Sequence, residues 1–301
     1  MHCTYLLFTA ATLLLATASF AADPKPVRIL MLGDSVTALG LPKATAQALN
    51  NAADGPQRAK TALHWETINA GAGGETAAGG LARIAKLLDK ENPDIVTISF
   101  GLNDTWQREG TEKFRNNMLA IIDIVQGHPS KPRPPWIVLL TSTPFDDTRH
   151  FLGKEKSMIE QGGPDRVLEM QYNRATRQLA LDKGFALVDL HRHFFTDPRP
   201  MRFLNEDGVH PNEQGFEFAG KYIATTLLAW YAVEIDKDKA ALAARKKTLA
   251  ELATLSDAKL TPEKKRRILQ QAWQTCPYLP EAAVAWDEFT YPSATMPSTP
   301  R

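Results

Sequence analysis

Short apolar runs alternate with helical patterns along the first two thirds of the chain, and each run is bounded by turn residues. The predicted strands are Val27–Leu32, Glu66–Ile68, Ile95–Phe100, Ile137–Leu140 and Ala186–Val188. The helical patterns are Pro42–Asn50, Thr76–Leu88, Thr111–Val125, Asp165–Lys183 and Glu213–Val233. This order predicts an α/β domain over residues 22–235, with three α/β/α layers around a doubly wound, five-stranded parallel sheet. In such sheets ligands bind outside the carboxyl ends of the strands.

The composition changes after Val233. Residues 236–280 are rich in Ala, Leu and Lys and predict a helical extension, with one helix over Asp236–Ser256 and a second over Pro262–Thr275. The basic run at 264–267 is interpreted as a solvated helix face, and an interaction patch is the alternative. Residues 281–301 end in a Pro, Ser and Thr tail and are expected to be irregular.

The N-terminus has the pattern of an export signal. An apolar run from Tyr5 to Ala18 precedes small residues at Ser19 and Ala21, although the segment before it has no Lys or Arg. The run is shorter than the ~18–20 apolar residues that cross a bilayer, so residues 1–21 are interpreted as a cleaved signal peptide rather than an anchor. This predicts a secreted or periplasmic protein with no stable membrane insertion after cleavage.

Charge and cysteine content narrow the expected partners. Lys and Arg number 35 and Asp and Glu 34, which gives a net charge of +1. Without a cationic field, nucleic acid is not an expected partner. Removal of residues 1–21 leaves Cys276 as the only cysteine, so no internal disulfide is expected.

The first strand breaks into Gly33, Asp34 and Ser35. This turn can present the Ser35 hydroxyl at the carboxyl edge of the sheet. A plain helix N-cap explains Ser and Asp at this place equally well, because both residues favour that position.

The loop after the second strand, residues 69–76, reads Asn-Ala-Gly-Ala-Gly-Gly-Glu-Thr. Its three glycines allow backbone N–H groups to converge on an anionic oxygen. A dinucleotide-binding loop is the alternative, but the G-x-G-x-x-G spacing is incomplete and the loop does not follow the first strand. In the helix that follows, the periodicity places Arg83 and Lys86 toward solvent.

The loop after the third strand contains Asn103. A side-chain amide there can donate to a developing oxyanion, which contributes roughly 3–4 kcal/mol to transition-state stabilisation. A turn asparagine is the alternative. The segment Asn103-Asp104-Thr105 also matches a glycosylation sequon, and the match is interpreted as accidental because a glycan would block the site.

The segment 205–212, Asn-Glu-Asp-Gly-Val-His-Pro-Asn, precedes the last helix of the predicted domain. Its spacing allows Asp207 to accept from Nδ1 of His210, which leaves Nε2 free to take a proton from a hydroxyl. Asp-Gly and Pro-Asn are also ordinary turn signals, but the whole octapeptide is more specific than the other three segments.

In this order, the four segments resemble the four sequence blocks of the SGNH hydrolases, also called the GDSL esterase family. The resemblance covers about Val27 to Val233 and implies a flavodoxin-like fold. It implies that Ser35 is the nucleophile, that His210 is the general base and then the general acid, and that Asp207 orients the imidazole.

The same resemblance implies an oxyanion hole formed by the backbone N–H groups of Ser35 and Gly74 and the side chain of Asn103. It implies no metal and no organic cofactor. Glu75 stands where many relatives have Asp, a change that we expect to be tolerated.

Residues after the fifth strand offer two competing interpretations. His191 and His193 are a possible metal pair, but no third ligand is spaced to join them, so ordinary loop histidines are the simpler interpretation. Asp189 competes with Asp207 as the group that orients His210, and Asp207 is preferred because it matches the motif.

The expected reaction is hydrolysis of short-chain esters, most simply acetyl esters on carbohydrate. An insertion at residues 143–163 can wall the site, and Phe145, Phe151 and Trp106 are candidates for stacking on a sugar ring or for local packing. A lysophospholipase, short-chain lipase or thioesterase would use the same residues, as would an O-acetyltransferase. A non-catalytic carbohydrate-binding protein is the alternative from a different class.

Overall fold

The computed structural model describes residues 25–53, 63–129 and 133–290. The predicted signal peptide and residues 291–301 of the predicted tail lie outside these ranges. Within them, no helix is both long and apolar enough to cross a membrane.

The strands form one sheet in the order β2-β1-β3-β4-β5, and every neighbouring pair is parallel. Their bounds are β1 Val27–Gly33, β2 Trp65–Gly71, β3 Ile95–Ser99, β4 Trp136–Leu140 and β5 Ala186–Val188. This is the flavodoxin-like strand order, so the expected fold class is confirmed.

The edge strand β2 is longer than its apolar residues predicted. It continues to Gly71 because its backbone pairs with β1, with Leu32 opposite Ala70 and Gly33 opposite Gly71. Ladder hydrogen bonds extend this strand over residues whose side chains give no strand signal.

Helices cover both faces of the sheet. Their bounds are α1 Ser35–Leu39, α2 Leu41–Ala53, α3 Ala77–Glu91, α4 Leu102–Gln107, α5 Thr111–Gly127, α6 Lys156–Ile159, α7 Pro164–Val167, α8 Arg174–Lys183, α9 Leu190–Phe194, α10 Glu213–Glu234, α11 Lys239–Ala253, α12 Pro262–Thr275 and α13 Pro280–Thr290. The predicted helix Asp165–Lys183 is divided, because a π-helical turn at Leu168–Asn173 separates α7 from α8.

Two apolar cores lie on the two sides of the sheet. Alternate side chains of β1 point to opposite faces, so Ile29 and Met31 pack with α2 and α10 while Leu30 and Leu32 pack with α3, α5 and α8. These four β1 side chains are almost wholly buried. Because both faces of β1 are buried, the strand cannot slide in the sheet, and the position of its carboxyl end is fixed.

The C-terminal region departs from the expected irregular tail. Residues Pro280–Thr290 form α13, and the expectation is wrong there because Ala282, Ala283 and Asp287 are buried. Just before α13, the carbonyl oxygen of Tyr278 accepts from the backbone N–H of Leu187 at 3.0 Å. This contact covers part of the outer edge of β5.

A buried ion network joins α13 to the α/β domain. The Arg177 guanidinium is fully buried and lies 2.8 Å from a Glu169 oxygen, 2.7 Å from Asp189 and 3.3 Å from Asp287. Arg192 also pairs with Asp287 and donates to the carbonyl oxygen of Ala283 at 2.8 Å. Because an unpaired buried charge is costly, these contacts fix α13 against the domain.

Candidate active site

The Ser35 hydroxyl lies where β1 gives way to α1. Asp34 is the N-cap of α1, and its Oδ1 accepts from the backbone N–H of Val36 at 3.0 Å. Ser35 is the first helical residue, so the capping role falls to Asp34. The Ser35 hydroxyl is thereby left for a contact outside its own helix.

The structure brings Ser35, His210 and Asp207 together in one hydrogen-bonded row. His210 Nε2 lies 2.8 Å from Ser35 Oγ, and His210 Nδ1 lies 2.7 Å from Asp207 Oδ2. With Nδ1–H donating to the carboxylate, Nε2 is the acceptor for the hydroxyl proton. The side chains of His210 and Asp207 are 26% and 47% exposed, so water reaches both groups.

Backbone hydrogen bonds keep Asp207 ionised in this row. Its Oδ1 accepts from the N–H groups of Val209 and His210, each at 3.0 Å. Partial burial acts to raise the pKa of Asp207, but these bonds and the His210 side chain outweigh it and lower the pKa. The carboxylate can therefore stabilise an imidazolium.

Gly208 allows the Asp207–His210 loop to pack closely on residues 146–150. Its φ is +72°, and a Cβ built there would lie 2.8 Å from the backbone nitrogen of His150. The Gly208 carbonyl oxygen accepts from Asp146 N–H at 2.7 Å. A side chain at this position would be strained and would push the loop away.

Arg149 fixes the residues that lead into the same loop. Its guanidinium donates to Asp146 Oδ2 at 2.6 Å and to the carbonyl oxygens of Met201 and Asn205 at 2.6 and 2.9 Å. Sequence reasoning missed Arg149, because an arginine in an insertion gives no local sign of the carbonyl groups that it will reach.

Ser35, Gly74 and Asn103, which carry the three expected oxyanion donors, line one cavity. Within the described ranges, neither the Ser35 nor the Gly74 backbone N–H donates to another protein group. The Asn103 Nδ2 group donates one hydrogen to the Glu75 carbonyl oxygen at 3.0 Å, which orients the amide and leaves its second hydrogen available. Gly74 has a φ of +74°, a conformation that its missing side chain permits.

Arg83 links the end of β1 to the loop after β2, although the helical periodicity placed this side chain toward solvent. Its Nε lies 2.9 and 2.8 Å from the Glu75 carboxylate oxygens, and its terminal nitrogen donates to the Gly33 carbonyl oxygen at 3.2 Å. The solvent placement is wrong because Glu75, in the preceding loop, supplies a partner that periodicity does not consider. The Glu75 carboxylate points to Arg83, which is consistent with the expected tolerance of Glu at this position.

Two carboxyl groups are buried behind the donors. Asp104 Oδ1 accepts from the N–H of Ala77 at the start of α3, at 3.2 Å, while its Oδ2 has no partner among the described residues. Burial is the main reason that the pKa of Asp34 and that of Asp104 are raised to about 7, and a nearby carboxyl group adds to it in each case, Asp104 for Asp34 and Glu109 for Asp104. Both acids therefore stay protonated well above their usual range.

The row and the donors line a cavity of about 480 Å³. Trp106 and Phe151 stand at its rim, each about half exposed, with ring centroids 5.7 Å apart in an edge-to-face arrangement. Phe145 also lines the cavity but is buried, so it packs locally. Of the three aromatic candidates, two are thus available to a ligand.

The three other candidates from the sequence, Asp189, His191 and His193, bind partners outside this cavity. Asp189 accepts from Arg177 and caps α9, and the two arginines Arg177 and Arg192 hold its pKa well below its usual range despite its burial. His191 bonds to Asp165, whereas the ring of His193 stacks 4.0 Å from that of Tyr222. Within the described ranges, no group of three or more His, Cys, Asp or Glu side chains could hold a metal ion.

Comparisons with known proteins identify the family. Residues 31–218 match the model of the GDSL-like lipase/acylhydrolase family. An arylesterase of Vibrio mimicus is 29% identical over 211 residues, which span 69% of this chain and 92% of that protein.

Solved structures share the fold. A lipase/acylhydrolase of Enterococcus faecalis superposes with a TM-score of 0.51 at 23% identity, over 66% of this chain and 93% of that one. The acetyl xylan esterase AlAXEase superposes with a TM-score of 0.51 at 21% identity, over 66% of this chain and 98% of that one.

The chain belongs to the GDSL-like lipase/acylhydrolase family, the group whose sequence blocks it resembles. It is a carboxylic ester hydrolase.

The buried acids predict a specific pH dependence of stability. Because the folded pKa of Asp104 is raised, the folded protein binds a proton that the unfolded chain releases, so stability falls as pH rises from about 4 through about 7. Replacing Asp104 by Asn removes this loss. The free energy of unfolding of D104N minus that of the wild type should therefore be larger at about pH 8.5 than at about pH 5, by about 2–3 kcal/mol.

Urea unfolding of wild type and D104N at the two pH values measures this difference. Asp182, whose side chain is 40% exposed, supplies the control variant D182N, which should shift stability equally at both pH values. An equal effect of D104N at both pH values would contradict the raised pKa.

Proposed function

We propose that the protein hydrolyses short-chain acyl esters, in particular acetyl esters on carbohydrate, through an acyl-Ser35 intermediate. The observation that carries this proposal is the row of Ser35, His210 and Asp207, with contacts of 2.8 and 2.7 Å at the wall of one cavity. A hydroxyl, an imidazole and a carboxylate in this order are what nucleophilic acyl transfer requires.

In the first half-reaction, Ser35 Oγ attacks the ester carbonyl carbon while His210 Nε2 takes the hydroxyl proton. The carbonyl oxygen becomes an oxyanion and accepts from the N–H groups of Ser35, Gly74 and Asn103. Asp207 stabilises the imidazolium. Collapse of the tetrahedral intermediate breaks the bond to the alcohol oxygen, which receives the proton from His210.

In the second half-reaction, His210 takes a proton from water as the water oxygen attacks the acyl-Ser35 carbonyl. Collapse releases the carboxylic acid and returns the proton to Ser35 Oγ. The partial exposure of His210 supports water as the acyl acceptor rather than a second alcohol, because solvent reaches the base directly. No step requires a metal or an organic cofactor.

The aromatic side chains at the rim of the cavity favour a substrate whose alcohol portion is a carbohydrate. Trp106 and Phe151 offer half-exposed aromatic surfaces at the mouth of the cavity, and sugar rings pack well on such surfaces because their C–H faces are apolar. An acetyl xylan esterase shares this fold, so the architecture is compatible with an acetylated polysaccharide.

We also propose export, on the pattern of residues 1–21. Small residues at Ser19 and Ala21 after the apolar run suit a signal peptidase. N-terminal sequencing of the protein secreted by a bacterial host should give Ala22 as the first residue, and an intact Met1 would contradict cleavage.

Loss of the proposed nucleophile and of one oxyanion donor should have different effects. S35A should abolish hydrolysis of p-nitrophenyl acetate, because no other hydroxyl contacts His210 Nε2 within the described ranges. N103A should lower kcat by about 10²–10³, the usual cost of one donor.

Unfolding curves show whether each variant is folded, and S256A, which removes an exposed hydroxyl in the C-terminal region, is the matched control. Wild-type rates in folded S35A, or in folded N103A, would contradict the assigned roles.

Substrate preference separates the proposed function from that of a lipase. We expect kcat/KM to fall steadily along p-nitrophenyl esters from acetyl to dodecanoyl. Acetylated xylo-oligosaccharides should lose acetate, as measured by mass spectrometry. A preference for dodecanoyl esters with no loss of sugar acetate would contradict the carbohydrate proposal and favour a lipase.

A further inference from the structure

His150 forms part of the cavity wall, yet the proposed reaction does not use it. The residue is more than nine-tenths buried, and what remains exposed belongs to the cavity that it lines. Its ring lies between two aromatic side chains, with centroids 4.9 Å from that of Phe145 and 4.5 Å from that of Phe151. These contacts fix the plane of the imidazole.

The hydrogen bonds of His150 define its tautomer. Nδ1 accepts from the backbone N–H of Leu152 at 3.3 Å, as the cap of a short helical turn at Phe151–Lys154. Burial lowers the pKa of His150, so the ring stays neutral. A neutral ring whose Nδ1 is an acceptor carries its proton on Nε2.

The Nε2–H group has no acceptor in the part of the chain that the structure describes. Nε2 is not one of the fully buried side-chain atoms that lack a partner, so it keeps some access to solvent, and the solvent space that His150 lines is the cavity. Most of the other wall residues outside the catalytic set, including Leu102, Phe145 and Val209, are apolar. A fixed hydrogen-bond donor in such a wall favours ligands that place an acceptor atom opposite it. A ligand that lacks an acceptor there leaves the donor unpaired, which costs binding free energy.

We propose that His150 is a specificity-determining residue, whose Nε2–H donates a hydrogen bond to an oxygen of the alcohol portion of the substrate, next to the ester. The inference rests on the proposed esterase function and specifies the alcohol that it favours: one with a hydroxyl or ether oxygen on the carbon beside the ester-bearing carbon.

The position of His150 relative to the reacting groups supports the alcohol portion rather than the acyl portion. Its backbone nitrogen lies against Gly208, in the loop that carries the base, and the nearby charge of Asp207 acts to raise the pKa of His150 against the effect of burial. His210 must deliver its proton to the departing alcohol oxygen. The alcohol therefore occupies the side of the cavity near His210, and His150 lies on that side.

Vicinal oxygens are a general property of sugar alcohols. An acetylated ring hydroxyl in a sugar has a hydroxyl or ether oxygen on a neighbouring carbon. A donor in the wall beside the leaving alcohol would thus favour acetylated sugars over esters of simple alcohols, at a cost only to substrates that lack the acceptor.

Matched substrates test this with the wild-type enzyme alone. Cyclohexyl acetate, trans-2-hydroxycyclohexyl acetate and trans-2-methoxycyclohexyl acetate share the acyl group and the ring. Because the proposed protein group is a donor, both oxygenated esters should have a higher kcat/KM than cyclohexyl acetate, by about five- to tenfold. Equal values for the three esters would overturn the proposal without any variant.

Two variants then locate the effect at His150. H150N keeps an oxygen that can cap Leu152 but loses the donor at the Nε2 position, so it should lose the preference for the oxygenated esters. H150Q places an amide N–H near the Nε2 position and should restore most of it. Equal changes of kcat/KM on all three esters in H150N would indicate a merely structural role and overturn the proposal.

Failure of the His150 role and failure of the proposed esterase function give different results in these assays. If the wild-type enzyme hydrolyses cyclohexyl acetate but shows no preference, or keeps its preference in H150N, only the role of His150 is contradicted. If it hydrolyses none of the three acetates, nor p-nitrophenyl acetate, the proposed function fails and the role of His150 fails with it.

Discussion

The hydrogen bond between the Ser35 hydroxyl and His210 Nε2 joins groups that are 175 residues apart in the chain. It can form only because the strand that ends before Ser35 and the loop that ends at His210 open at the same edge of one parallel sheet. The buried β1 and β3 strands fix that edge, since a shift of one residue would turn every core side chain to the wrong face. The geometry of the proposed site therefore depends on the register of the sheet.

Polar contacts behind this edge refine the placement of the loops. Arg83 ties the end of β1 to the Glu75 loop, and Glu75 in turn orients the Asn103 amide. Arg149 and Gly208 fix the loop of the proposed base. The first set positions the proposed oxyanion donors and the second positions the base, so each half of the site has its own support.

Much of this arrangement could be predicted from the sequence. The apolar runs and their alternation with helical patterns predicted the five parallel strands, because burial on both faces leaves a direct imprint on the sequence. The residues of the proposed site were also identified, since Ser35 and Asn103 stand in local motifs after strands and Asp207 and His210 stand in the motif before α10. The structure brings these residues to one cavity.

The features that the sequence did not reveal depend on partners distant in the chain. Arg149 binds carbonyl groups some fifty residues away in the chain. The proposed role of His150 depends on the cavity that it lines, which no local pattern around this residue indicates. Helix α13 was missed because its stability comes from contacts such as that of Asp287 with Arg177, not from a strong local helix pattern. Side-chain periodicity reports which face is buried, and it does not report which polar group will be met there.

Active-site labelling shows whether His210 activates the Ser35 hydroxyl. The intact protein would be treated with a fluorophosphonate, which reacts with a serine hydroxyl only where a neighbouring base activates it, and the adduct would be located by peptide mass spectrometry. We expect a stoichiometric adduct on Ser35 that forms much more slowly in H210A. An adduct on a different serine, or an equal rate of Ser35 labelling in folded H210A, would contradict this expectation.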